Sequence, residues 1–478
     1  MPRVLVRTTG CQMNVHDSEK IENLLLHHGW SRAASLETAD FLIVNTCSIR
    51  EKAEHHLYSD LGMLREWKAD GAERVLAVGG CVAQQEGEGL LRRFPHVDFV
   101  FGTHSLRWVP ALADAARAGR RSVEVAETRS LDRFDWPARH PDFADATPGR
   151  AFLTVMEGCD MFCTFCIVPR TRGREISRPA QAIEDEACAL VDRGVRELTL
   201  LGQTVNAYGR HEMNREALRS ARGVDPGTVG TVGFADLLRR LAAIPGLARL
   251  RYTSPHPAFY DAALVRAHGE IASLCPHVHL PAQSGSNAVL ERMRRRTTRA
   301  DLFAIVEGLR AARPDLVLTT DLIVGFPGET DRDFRETLSL VREAGFVDSF
   351  SFKYSPRPGT QAADFEDTVP PECAQERLEE LQALQRAQTL AYHQSRVGQV
   401  AEVLVTGPSR RGGRQFSGRD LWHRVVNFEV PEGEGIAPGS LRPVTLVAAS
   451  PHSLVGVLDD ARPARPAGEA IPILDARP

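Results

Sequence analysis

Four runs in the first quarter of the chain, "RVLVRT", "FLIVN", "VLAVG" and "VDFVFG", are apolar without alternation. A strand with one wet face alternates apolar and polar residues, so a run that does not alternate is covered on both faces. Helical spacing fills the gaps. Ile21, Leu24, Leu25 and His28 follow Asp17 or Ser18 as an expected cap, and Ala53, Leu57, Leu61 and Leu64 mark a second helix. Residues 1–118 are therefore expected to form an open parallel-sheet domain with helices on both sides. Residues 119–147 read as a linker, because the stretch around them carries prolines and charges without a period. A second alternating series occupies 148–385, with strands at "FLTVME", "ELTLLG", "RLRYTS", "HVHLP", "VLTTDLIVGF" and "DSFSFKYS". Six strand–helix units predict a partial (β/α)6 barrel, with "GRHEMNREALRSARGVDPGTVG" (209–230) as a surface insertion. From 390 to 457 short strands broken by turn residues predict a small β-barrel, and 458–478, rich in Pro and Ala, predicts a disordered tail.

The class is thus α/β, and 478 residues suffice for two to four domains. No apolar run approaches the roughly 20 residues of a membrane span. "MPRVLVRTTG" enters a strand directly and lacks a signal peptide's layout, so a cytoplasmic protein is expected. Nine cysteines in a reducing compartment point to metal or redox chemistry rather than disulfides. A net charge of −4 gives no global attraction to nucleic acid, which leaves only local patches.

The cysteines fall into two sets of three. Cys159, Cys163 and Cys166, in "EGCDMFCTFCIVP", follow the first barrel strand, on the face where barrel enzymes keep their chemistry. Three thiolates hold three irons of a four-iron cube and leave the fourth open to a substrate. Zinc would require a fourth Cys or His that the loop does not supply, and three merely buried cysteines would have no reason for this spacing. Cys11, Cys47 and Cys81 each follow an apolar strand, so all three are expected on one edge of the parallel sheet, where such sheets bind ligands. The alternative is three unrelated half-buried cysteines. Cys188, Cys275 and Cys373 fit no motif and read as structural.

The 159–166 loop resembles that of the radical S-adenosylmethionine superfamily. "TGCQMNVHDSE", "NTCSIREKAE", "GGCVAQ", "TLLGQTVNAYG", "HLPAQSGS", "DLIVGFPGET" and "SPRPGT" are similar, in order, to the methylthiotransferases of that superfamily. The last barrel resembles their RNA-binding TRAM domain. "CQMN" and "NTCSIREKA" resemble the branch that acts on N6-isopentenyladenosine at position 37 of bacterial tRNA, beside the anticodon.

The resemblance implies two [4Fe–4S] clusters, one on Cys159, Cys163 and Cys166 and a sulfur-bearing one on Cys11, Cys47 and Cys81. It also implies two molecules of S-adenosylmethionine per turnover and methylthiolation at carbon 2 of the base. A monomer is expected, with the tRNA anticodon stem-loop and a flavodoxin- or ferredoxin-like electron donor as partners; the sulfur donor stays unnamed. Gly202 and Gln203 would meet the methionine end of S-adenosylmethionine. Gln283, Ser284, Asp321 and Glu329 would meet its ribose and adenine. The glycine is equally an ordinary turn residue, and Asp321 and Glu329 equally turn and helix-start carboxylates. For RNA, Arg410, Arg411, Arg414, Arg419 and Arg424 stand against Asp420 alone, and Trp422 or Phe416 is placed to stack on a base. A solvated charged face explains the same run, as it does "RMRRRTTR" (292–299). His423 departs from the Asn that relatives carry. Rival readings are methylthiolation of a ribosomal-protein side chain or of threonylcarbamoyladenosine in tRNA, and a non-enzymatic iron–sulfur protein.

Overall fold

The computed structural model describes residues 1–48, 51–71, 73–145, 147–210, 232–409, 412–431 and 435–459. All but the first two residues of the expected insertion, the expected tail from 460, and Arg410 and Arg411 lie outside the described residues.

The first sheet holds β1 (Arg3–Thr9), β2 (Ser31–Arg32), β3 (Phe41–Thr46), β4 (Val75–Gly80), β5 (Phe99–Phe101) and β6 (Ser122–Glu124). Their order is β2-β1-β3-β4-β5-β6, and every pair is parallel. Successive side chains leave opposite faces. Phe41, Ile43, Ala77 and Phe99 pack with Ile21 and Leu25 of the helix Gln12–His27. Leu42, Val44, Leu76 and Val78 pack on the other face with Leu57, Leu61 and Leu64 of the helix Glu51–Ala69. The first helix starts earlier than its apolar spacing suggests. Cys11 is its N-cap, and Asn14 Oδ1 accepts from the Cys11 backbone N–H at 3.3 Å. Asp17 and Ser18 are buried inside the helix and cap nothing.

The stretch expected as a linker is packed down. Phe134 and Phe143 are buried, and Asn23 of the first helix donates to the Pro137 and Ala138 carbonyls, both at 3.2 Å.

The second unit has β7 (Arg150–Thr154), a small antiparallel pair β8 (Met156–Glu157) and β9 (Ile176–Ser177), then β10 (Glu197–Leu201), β11 (Arg249–Tyr252), β12 (His277–His279), β13 (Val317–Val324) and β14 (Asp348–Lys353). β7, β10 and β11 are parallel neighbours, as are β12, β13 and β14. A parallel bridge from Leu250 to Leu274 joins the two arcs. The six expected strands therefore form one curved parallel wall with β7 and β14 at its open edges.

The helix Pro371–Ser395 leads to a closed barrel of β15 (Val400–Pro408), β16 (Gln415–Arg419), β17 (Val425–Glu429), β18 (Leu441–Ala449) and β19 (Leu454–Leu458). No helix among the described residues is long and apolar enough to cross a membrane.

One buried carboxylate organises part of the contact between this barrel and the core. Glu197 on β10 is fully buried and meets Arg150 Nε at 2.8 Å, Arg251 Nε at 3.1 Å and Arg249 Nη1 at 3.6 Å. Arg249 donates onward to the carbonyls of Glu402 (2.7 Å) and Arg419 (3.0 Å). Arg251 donates to those of Asp420 (3.0 Å) and Leu421 (2.8 Å). Burial alone would push the Glu197 carboxyl up, but Arg251, Arg150 and Arg249 outweigh it and hold it at about 2.

A depressed carboxyl contributes stability above its unfolded value, about 4.3, and loses it as pH falls toward the folded value. Glu197→Gln is therefore expected to lower stability at pH 7 by about 3 kcal/mol, since it removes the carboxylate that Arg150 and Arg251 face, while Arg249 keeps Glu402. Urea unfolding of both proteins across pH should show the gap closing below about pH 4.

Candidate active site: two thiol sets and one cleft

The sheet register brings the first three cysteines together. Thr9 lies opposite Thr46, and Thr46 opposite Gly80, so β1, β3 and β4 end at one level. Cys47 and Cys81 come next on their strands, and Cys11 one residue further out. The Cys47 N–H donates to the Thr9 carbonyl at 3.0 Å. Glycine is required before Cys81, because Gly80 has φ +94° and a Cβ there would fall 2.3 Å from Asn45 Oδ1. The Cys47 thiol lies in hydrogen-bonding contact with both Cys11 and Cys81. Those two bonds, reinforced by burial, push Cys47 far up. The bond from Cys47, against burial and with help from Arg172, brings Cys11 down to about 7 and Cys81 to about 6.

Arg172 belongs to the core, following the short helix Val168–Thr171. It crosses to the first sheet, where Nη2 meets Asp17 Oδ2 at 2.6 Å with both side chains buried. Its Nη1, Asp17 Oδ1, Thr46 Oγ1 and Ser48 Oγ are buried without a partner. Three converging thiols, two of them acidified, and a guanidinium with a free N–H fit a negatively charged iron–sulfur cluster.

The second set sits in the loop after β8. Gly158 has φ +79°, and a Cβ would stand 2.1 Å from the Arg174 carbonyl oxygen. Its N–H donates to Gln203 Oε1, which anchors the loop to the end of β10. Cys159 Sγ lies 3.0 Å from Thr204 Oγ1, and the Cys166 N–H donates to the Cys163 carbonyl at 3.0 Å. Cys159, Met161 and Cys163 are buried together, with Cys166 against them. Burial pushes Cys159 up to about 11 and Cys166 up to about 12. Three thiols in one loop match the three irons that such a set holds in a four-iron cube.

A cleft of about 660 Å³ joins the three parts of the chain. The sheet edge contributes Cys11 and Cys47, the core Gly202 and Asp321, and the small barrel Arg419 and Arg424. The edge carrying the first thiols thus faces the mouth of the core.

Of the residues expected on the cofactor, Gly202 and Asp321 line this cleft, with Asp321 Oδ2 3.1 Å from His279 Nε2. Gln203 turns back to the cysteine loop. Gln283, at φ +73°, is bound through its backbone to Asp321 and Ile323. Two side chains are engaged elsewhere, which corrects their expected role. The Ser284 hydroxyl is buried 3.3 Å from Thr337 Oγ1. Glu329 is buried, pairs with Arg377 at 3.3 Å and accepts from the Gly325 N–H. Burial pushes its carboxyl up to about 7.

The expected RNA patch divides. Trp422 is buried, not a base platform: Nε1 donates to the Asp315 carbonyl at 2.8 Å, and the Arg396 guanidinium stacks 4.0 Å from its ring centre. Arg424 is also buried, paired with Asp348 at 2.8 Å in the cleft wall. Arg419 donates to the His423 carbonyl at 2.8 Å, and burial, helped by Arg150 and Arg424, brings it down to about 10. Arg414 is exposed and does not line the cleft. Sequence reasoning missed Arg172, Asp17 and His279. The run "RTRGRE" after the cysteines was the one available signal, since an arginine so close to three thiols has few solvent-facing reasons to be there.

The radical SAM superfamily matches residues 153–341, and the uncharacterized protein family UPF0004 matches residues 3–102. The tRNA-2-methylthio-N(6)-dimethylallyladenosine synthase of Acidithiobacillus ferrooxidans is 47% identical over 457 residues, covering 95% of this chain and 97% of the relative. The chain belongs to this synthase family. Synthases of the same name from Geobacter metallireducens and Agrobacterium fabrum are 47% and 44% identical, each over 95% of this chain and 97% and 96% of the relative. In fold, the chain is similar to the radical S-adenosylmethionine methyltransferase TsrM of Kitasatospora setae, solved with cobalamin and a [4Fe–4S] cluster. The TM-score is 0.52, at 16% identity over 76% of this chain and 77% of that one.

For this member of the synthase family, Asp17→Asn is expected to cost about 3 kcal/mol, because it strands the buried Arg172 cation. Adding Arg172→Met should recover part of the loss. Denaturant unfolding of the metal-free protein, run as a double-mutant cycle, measures both.

Proposed function

We propose that this chain attaches a methylthio group to carbon 2 of N6-isopentenyladenosine at position 37 of tRNA, next to the anticodon. The observation that carries this reading is the cleft that Cys11 and Cys47 of the first thiol set, the core and the small barrel line together. Bound here, two [4Fe–4S] clusters and two molecules of S-adenosylmethionine per turnover supply one-electron and sulfur chemistry at a carbon that no side-chain base can deprotonate.

The chain's own residues hold and orient. Cys159, Cys163 and Cys166 grip one cluster, and Cys11, Cys47 and Cys81 the other. Gly202 leaves room at the end of β10, where a Cβ would come 2.6 Å from Met156 Cγ. Gln203 fixes the cysteine loop, and His279 holds Asp321 at the cleft edge to accept from a ribose hydroxyl. Asp17 keeps Arg172 beside the first thiols as their counter-charge. The small barrel, read as a TRAM domain, roofs the cleft with Arg419 and Arg424 and offers Arg414 to phosphate outside. The protein works as a cytoplasmic monomer that receives electrons from a flavodoxin- or ferredoxin-like donor.

Mass spectrometry of tRNA nucleosides from a deletion strain tests the reading. The methylthiolated nucleoside should vanish, isopentenyladenosine should accumulate, and the chain should restore the former. An unchanged tRNA profile with a lighter ribosomal protein would sink it. Replacing Cys11, Cys47 and Cys81 by Ala should remove about half of the roughly eight irons per chain. That variant should still release 5′-deoxyadenosine with a strong reductant while forming no methylthiolated base. Arg414→Ala should weaken tRNA binding and reduce its salt slope by about 1, with nucleoside-free S-adenosylmethionine cleavage unchanged.

A further inference from the structure

Residues 292–296 alternate between solvent and interior. Arg292, Arg294 and Arg296 are exposed, while Met293 and Arg295 are buried. The backbone pays for the alternation: Arg294 has φ +55° and Arg296 φ +54°, both in the left-handed region that favours glycine. Strain of this kind persists where something nearby requires it. What it achieves here is the inward turn of Arg295.

Arg295 reaches the second thiol set. Nη1 lies 3.7 Å from Cys163 Sγ and Nη2 donates to the Pro281 carbonyl at 2.6 Å, while Nε is buried with no partner. The segment is tied to the cysteine loop by Thr164, whose N–H donates to the Met293 carbonyl at 3.1 Å and whose hydroxyl donates to the Arg292 carbonyl at 2.9 Å. No carboxylate among the described residues pairs with Arg295. The nearby His256 is no counter-charge, since burial, then Arg295 and Arg296, bring it down to about 2 and keep it neutral. A buried guanidinium without an anion is costly. A cube on three thiolates supplies the anion: in its 2+ state the assembly carries a net charge of −1, and −2 after gaining one electron.

We infer that Arg295 is a positioning residue that acts through Cys163 to favour the reduced state of the cluster held by Cys159, Cys163 and Cys166. A fixed cation stabilises −2 more than −1, so it raises the reduction potential. The step transfers one electron from an external one-electron reductant to the cube, which passes from 2+ to 1+, and no bond forms or breaks. The inference rests on the ligand assignment proposed above.

The test uses the full chain with Cys11, Cys47 and Cys81 replaced by Ala, so that one cluster remains, reconstituted and titrated with dithionite against redox dyes. If this parent holds no iron, the ligand assignment fails, and with it the basis of the inference. If it holds about four irons, Arg295→Gln and Arg295→Met are compared with Arg295→Lys. The neutral variants should make reduction at least tenfold less favourable, a shift of about 59 mV to lower potential for one electron. Arg295→Lys should recover most of it. Equal potentials in all four proteins would overturn the inference, because a merely structural side chain would not move the potential with its charge. If the neutral variants lose iron and Arg295→Lys keeps it, the cation is required to hold the cluster at all, which supports the same pairing. Loss of iron in all three alike would overturn it.

Discussion

A carboxylate sealed from water organises the arginines that meet the third part of this chain. Glu197 stands at the start of β10 with three guanidinium groups around it, and two of them, Arg249 and Arg251, also donate to backbone carbonyls of the small barrel. Side chains on opposite charges would hold the barrel loosely on a wet surface. Charge-assisted bonds to fixed backbone carbonyls, made in a buried place, hold it in one orientation. Because that orientation puts Arg419 and Arg424 over the core mouth, the cleft is a consequence of Glu197 as much as of the residues that line it.

A second buried pair, Asp17 with Arg172, does the corresponding job between the first sheet and the core. It differs in what it costs the neighbours. Arg172 also bears on Cys81 and helps lower its thiol, so the tie between domains is also part of the electrostatic environment of the first thiols. Each thiol set accordingly has one buried guanidinium. One is borrowed across a domain boundary, and the other is turned inward by a strained loop.

The strands, their parallel pairing and both thiol sets were legible in the sequence, for a common reason. Unalternating apolar runs and cysteines at strand ends are local signals whose consequence, burial on both faces and convergence at one edge, follows from sheet geometry alone. Side-chain destinations were less legible. Asp17 has the composition of a helix cap, but its partner lies 155 positions away, and nothing local marks it. Trp422 in an arginine run reads as a base platform until Asp315 and Arg396 close around it. Ser284 and Glu329 belong to two motifs read as cofactor contacts, while their side chains brace the fold. The segment 119–147 looked like a linker because packing against a neighbouring helix needs only a few aromatics, too few to create a period.

The borrowing of Arg172 also leaves the first sheet incomplete in one respect. All six of its strands lie within residues 3–124, yet the guanidinium that meets Asp17 comes from residue 172, in the core. Cut off after β6, the sheet would keep its strand pairing and lose that cation, leaving Asp17 a buried carboxylate without its partner. The amino-terminal layer is thus whole in its backbone and unfinished in its charge.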